Sequence, residues 1–217
     1  MTGLRAKQKA DREQRILQAA TALFRAVGYE GAKIEAIAAE AEVSIGTVYN
    51  YYENKGDLLV AIVAMEVGEV LAAGAALVAE PPGDVEAAIN GLMSIYLDHS
   101  LVYLNKEMWR NAMALTTRQP DTHYGKAYNR LDVRLAEQVC ALIARLRDDG
   151  LVDPAVDVAA VGEMLFNNTN MMFTIFVKTE DMSLESLKAA IARQNAPLAR
   201  AIRAEPSTVR ARVSSRP

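Results

Sequence analysis

The chain has 217 residues, 51% hydrophobic and 24% charged, with a formal net charge of −3 and a single cysteine, Cys140. That length supports a real core. One cysteine excludes an internal disulfide framework and fits a reducing cytoplasm, a basic polar N-terminus is no secretory signal, and the apolar stretch 164–177 is too short and too polar to span a membrane.

Residues 1–10 read as a flexible basic arm. Residues 1–15 hold Arg5, Lys7, Lys9, Arg12 and Arg15 against Asp11 and Glu13, whereas residues 61–203 hold 13 basic and 18 acidic groups. A basic start on an acidic body suits a terminal module that meets phosphates. Ile16, Leu17, Ala20, Leu23, Phe24 and Val27 recur at helical spacing, which predicts a helix over 11–27 stopped by Gly28. Ile34, Ile37, Ala38 and Ala41 mark a second, short helix. Ser44 is a good N-cap for a third over 45–52, and Asn54 caps a fourth that begins near Lys55 and runs to about 79. The run 80–84, Glu-Pro-Pro-Gly-Asp, is the strongest break in the chain. Helical periodicity returns over 85–100, 102–116, 122–149, 154–178 and 184–203. Residues 204–217 read as a disordered tail. The expected fold is all-α, with about nine helices. A helix-turn-helix unit over 11–56 precedes a helical bundle over 57–203.

The stretch 43–59, VSIGTVYNYYENKGDLL, carries three tyrosines, an asparagine and a glycine around a narrow apolar face. On a helical wheel Val48 and Tyr52 share that face, with Ile45 at its edge, so it must dock on the preceding helices. Gly46 and Asn50 lie opposite. Gly46 lets a ligand backbone come close, and Asn50 matches the donor–acceptor pair of adenine in a major groove. The hydroxyls of Thr47 and Tyr49 can reach phosphate oxygens. Lys55, at the start of the next helix, adds its charge to a helix N-terminus. Two short helices joined by AEAEVS, the second polar outward, form a helix-turn-helix.

Residues 16–59 resemble the DNA-binding domain of the TetR family of bacterial repressors. Ile37–Ala38, Val43–Ser44, the run Gly46, Thr47, Val48 and Tyr49, then Tyr51–Tyr52 and Lys55 match its pattern position by position. The resemblance implies backbone contacts by Ser44, Thr47, Tyr49, Tyr51 and Lys55, with Ile45, Gly46 and Asn50 facing the bases. Three departures stand out. Ala32 and Lys33 replace the family's frequent threonines, and Lys33 is expected to supply the phosphate contact instead. Glu42 stands where the family's turn glycine is common, which suggests a different turn. Ile45 replaces a frequent basic residue, so an apolar contact to a thymine methyl is expected there.

A family member has a second domain that binds a small effector and dimerises. Met93, Tyr96, Tyr103, Met108, Trp109 and Met113 mix thioethers with amphipathic rings and could line an adaptable apolar cavity. Phe166, Asn167 and Asn170 add two amides to an apolar helix, where they need partners. Ordinary core packing is the competing reading for each of these. The last two helices are the expected homodimer element. The sequence offers no catalytic chemistry, metal site or cofactor loop: His99 and His123 form no ligand pair, and Cys140 sits on an apolar helix. The reading is therefore a regulator, a repressor binding a palindromic operator on double-stranded DNA and released by a small molecule. The alternative is a helical small-molecule-binding or scaffold protein with no DNA function.

Overall fold

The structure, a computed structural model, describes residues 2–205; the expected tail lies, but for its first two residues, outside that range. Among the described residues there are nine helices and no strand. The helices are α1 (Thr2–Gly31), α2 (Ile34–Glu40), α3 (Ile45–Tyr49), α4 (Lys55–Ala79), α5 (Val85–His99), α6 (Lys106–Arg118), α7 (His123–Asp148), α8 (Val158–Lys178) and α9 (Leu184–Ala201). One isolated antiparallel bridge joins Val152 to Arg203.

The helix starts follow local chemistry. Ser44, Asn105, Asp157 and Ser183 each accept a backbone N–H from the first turn of their helix. At α4 the cap is reciprocal. The Asn54 side-chain oxygen accepts from the Asp57 amide, and the Asp57 carboxylate accepts from the Glu53 amide and the Asn54 side chain. Such caps typically stabilise a helix end by about 1 kcal/mol.

Several boundaries differ from the sequence reading, among them the start of α6, at Lys106 and not at 102. The arm expected to be flexible is helical from Thr2 onward, so α1 begins nine residues before the predicted start. α3 ends at Tyr49, because Asn50 and the residues after it turn away toward α4. α8 begins at Val158 and not at Pro154, since Asp157 provides the cap that Pro154 cannot.

The chain groups into two compact units, and the grouping cuts across the expected boundary at residue 56. Among the described residues the first unit comprises 2–66 and 100–131, and the second 67–99 and 132–205. The first packs α1, α2, α3, the start of α4, α6 and the start of α7 around Ile16, Phe24, Ile37, Val48, Leu58, Ile62 and Met108, all fully or almost fully buried. The second packs the rest of α4 and α7 with α5, α8 and α9 around Ile89, Leu92, Val139, Leu142, Leu165, Phe176 and Ile191. α4 is long and apolar enough to cross a membrane by length and composition alone. Half of that window is buried inside the protein and the helix carries a buried Glu66, as in the core helix of a globular fold.

Candidate nucleic-acid interface

α3 is only five residues long, too short to hold itself as a helix in water. It is held at both ends. At its start the Ser44 hydroxyl accepts from the Thr47 amide at 3.1 Å and bonds the Thr47 hydroxyl at 2.8 Å. Of the two hydroxyl protons, one closes that bond and the other is free to reach an acceptor such as a phosphate oxygen. Val48 is fully buried and Tyr52 nearly so. Past its end, the Tyr52 hydroxyl donates to the Glu13 carboxylate at 3.3 Å and the Tyr51 hydroxyl donates to the Lys9 carbonyl at 3.1 Å. Burial and the Glu13 carboxylate raise the Tyr52 pKa well above the ordinary phenol range, so it stays a donor.

This anchoring leaves one face outward. Ile45, Gly46, Tyr49 and Asn50 are exposed, Ile45 by 43% and Tyr49 by 51%. A Cβ added at Gly46 would meet nothing nearer than the Ser44 hydroxyl at 3.9 Å. The bare position is therefore not required by packing, which is what a close-approach site for another molecule needs. Lys33 is exposed at the N-cap position of α2, where its side chain makes no capping bond, so its charge faces solvent.

Three sequence expectations change. Glu42 adopts φ 53°, the left-handed conformation a glycine would take at no cost. The turn is thus kept and the glutamate absorbs about 1 kcal/mol of strain. Its carboxylate lies 3.7 Å from the Arg15 guanidinium, an exposed pair that contributes little. Tyr51 was read as a phosphate donor, but its hydroxyl proton is committed to the Lys9 carbonyl.

Lys55, read as a phosphate contact, is committed as well. Its ammonium donates to the carbonyls of Glu30 and Ala32 at 3.1 and 3.3 Å and sits 4.5 Å over the Tyr29 ring. α1 is broken at Gly28 (φ 78°, ψ 161°), and Lys55 satisfies carbonyls that the break leaves open. From the other side Glu107 of α6 accepts the Tyr29 amide at 3.1 Å. Burial, with Glu30 and Tyr124 nearby, pushes the Tyr29 phenol up to about 12. Replacing Lys55 with methionine is expected to cost about 1–3 kcal/mol of stability, as for charge-assisted bonds at a half-buried site. The urea midpoint should drop with an unchanged slope. An unchanged midpoint would leave the ammonium only a surface role.

The expected effector residues fall into two groups. Met93, Tyr96 and Phe166 are buried in the second unit, Asn170 is half-buried, and Asn167 is exposed instead of lodged in an apolar interior. Tyr103, Met108, Trp109 and Met113 belong to the first unit; Met108 and Trp109 are core residues, and the indole N–H donates to the Ser100 carbonyl at 2.6 Å. Sequence reasoning missed the polar groups that the second unit brings together. Tyr96 donates to Gln138 at 2.8 Å, Gln138 donates to the Leu71 carbonyl at 2.8 Å, and Thr169 donates to the Met93 sulfur at 3.0 Å. Asn168 donates to Asn195, whose own amide nitrogen is buried without a partner. Gln138 fills the space left by Gly74, a pairing that no single-helix pattern reveals. Among the described residues no cluster of His, Cys, Asp and Glu could hold a metal.

Comparison with known proteins bears on the first unit above all. Residues 16–62 match the family model for bacterial regulatory proteins of the tetR family. The HTH-type transcriptional repressor KstR of Rhodococcus jostii is 36% identical over 80 residues, which is 37% of this chain and 36% of that protein. The fatty acid metabolism regulator protein of Bacillus subtilis is 26% identical over 179 residues, 80% of this chain and 88% of that one. The chain spans less than half the length of KstR and of the SCO4008 repressor of Streptomyces coelicolor, 36% and 42% respectively. Among solved structures, the Thermus thermophilus FadR repressor in complex with lauroyl-CoA superposes with a TM-score of 0.66 at 20% identity, covering 86% of this chain and 92% of that one, a likeness of fold. The anchored short helix, the outward face and the matched segment coincide, so that residues 16–62 are similar to the DNA-binding part of bacterial regulatory proteins of the tetR family.

Proposed function

We propose that this protein is a cytoplasmic, ligand-responsive transcriptional repressor without enzymatic activity. It binds a palindromic operator as a homodimer and leaves it when a small molecule occupies the second unit. The observation that carries this reading is the outward face of α3, where Gly46 is bare for no packing reason and Asn50 stands beside it over a buried Val48. Such a face fits a major groove, with Thr47 and Tyr49 toward the strands. In this reading residues 1–56 form the DNA module, and 57–203 serve the effector and the dimer.

The dimer reading is supported by α8. Met164, Met171 and Ile175 are exposed by 58%, 61% and 43% and recur at i, i+7 and i+11 on one face. An apolar seam of that period suits a second copy of the same helix. The effector reading is a fatty acyl thioester, supported by the naming of the Bacillus relative for fatty acid metabolism and by the lauroyl-CoA of the Thermus FadR. α4 runs from Lys55 to Ala79 and has residues in both units.

The test is calorimetric titration of the dimer with lauroyl-CoA, with and without duplex enriched by the protein from a random-sequence library. A hundredfold release of DNA needs about 2.7 kcal/mol of coupling, and by reciprocity the duplex must weaken lauroyl-CoA binding by the same factor. Equal affinities in the two titrations would show that this thioester is no inducer. Failure to enrich any duplex would remove the regulator reading itself.

A further inference from the structure

The reading helix works in an acidic setting. Residues 16–60 hold Arg25, Lys33 and Lys55 against six carboxylates, and Lys55 is committed to backbone carbonyls. Some other part of the chain must supply attraction to phosphates. The overhang of α1 has the right charge and the right face. Thr2 to Asp11 project about 15 Å as helix, at 1.5 Å per residue, beyond the first core residue Ile16. Arg5, Lys9 and Arg12, at i, i+4 and i+7, fall within an arc of about 60°. That arc continues the inward face of α1, where Ile16, Ala19 and Ala20 are buried against the rest of the unit. The overhang therefore turns its basic side toward the side on which the helix-turn-helix lies.

Two contacts fix it there. The Tyr51 hydroxyl, just past α3, donates to the Lys9 carbonyl, and the Lys9 ammonium stands 5.9 Å over the Tyr51 ring. All three basic side chains are exposed, and none forms an ion pair among the described residues. The first turn of α1 also lacks any acidic residue. Cations at a helix N-terminus oppose the helix dipole, and a facing anion would relieve that opposition. We propose that Arg5, Lys9 and Arg12 form a rigid rail that lies along duplex phosphates beside the segment contacted by α3, supplying the sequence-independent share of affinity. This rests on the DNA-binding reading above and assigns its electrostatic part to a different element.

The experiment compares wild type, the triple variant R5A/K9A/R12A and the single variant K7A, whose side chain lies on the opposite face of α1. Each is titrated with the enriched duplex over a range of salt. Releasing three phosphate contacts should lower the slope of log affinity against log salt by about 2.7 per protomer, while the enriched duplex keeps its advantage over random duplex. K7A should keep the wild-type slope. A second variant, A6G/A10G, keeps the charges but loosens the helix; it should bind more weakly than wild type. A triple variant with the wild-type slope would overturn the rail, and so would a slope loss in K7A as large as a third of that in the triple variant, which would mean a diffuse charged arm. A wild type that binds no duplex at any salt would overturn the DNA-binding reading and this inference with it.

Discussion

Replacing Gly46 with leucine is expected to abolish preference for the enriched duplex while leaving the fold as stable as wild type. The space is there: the nearest heavy atom to an added Cβ is the Ser44 hydroxyl at 3.9 Å. Leucine also favours helix over glycine by up to about 1 kcal/mol. The bulk would instead stand where a groove floor must come close, lifting Asn50 and Ile45 from the bases. Each good base contact contributes about 1–3 kcal/mol of discrimination, so loss of two is on the order of a hundredfold or more. Sequence-independent binding should survive, because phosphate contacts outside α3 remain. Gly162 is the internal control. A Cβ there would lie 2.5 Å from the Cys140 sulfur and 2.7 Å from its Cα, so even Gly162→Ala should destabilise the second unit. One glycine is bare for a neighbour inside the protein, the other for a neighbour outside it. Retained preference in Gly46→Leu, measured beside an unchanged melting temperature, would show that α3 does not face bases.

Much of this was legible in the sequence, for identifiable reasons. Local signals were: Ser44 and Asn54 cap where they should, and Val48 and Tyr52 are buried as the wheel expects. What was not legible depends on partners distant in the chain. Lys55 looks like a free cation at a helix start until the Gly28 break brings the carbonyls of Glu30 and Ala32 within reach. Tyr51 looks like an exposed donor until the longer α1 places the Lys9 carbonyl against it. The Glu42 turn was misread because composition favours glycine at positive φ, whereas the flanking helices can hold a glutamate there. The effector residues were least legible. Hydrophobic periodicity marks Met108 and Trp109 as inward but does not say into which of two units, and both are in the first.

Asp132→Asn is expected to stabilise the protein by about 2 kcal/mol at pH 7.5 and by almost nothing near pH 4. Burial on α7 disfavours the charged carboxylate and pushes the Asp132 pKa from the usual 3.8 to about 6. The sign follows from proton linkage. Below pH 3.8 the group is neutral in folded and unfolded chains alike, and no stability is lost. Between 3.8 and 6 the unfolded chain releases the proton while the folded chain keeps it, so stability falls as pH rises. Above 6 both forms are charged and the whole cost of a buried carboxylate is present. Two pH units correspond to about 3 kcal/mol, and the side chain's partial exposure trims this to about 2. Asparagine keeps the shape and the hydrogen-bonding oxygen without the charge, so the gap between the two proteins should open with pH and then level off. Urea unfolding of both at pH 4.5, 6 and 7.5 gives the curve. A gap of equal size at all three would mean that the substitution acts through packing or a hydrogen bond. An asparagine variant less stable at pH 7.5 would mean that the charge is paired in the folded state, and the pKa would then have to lie below the usual value.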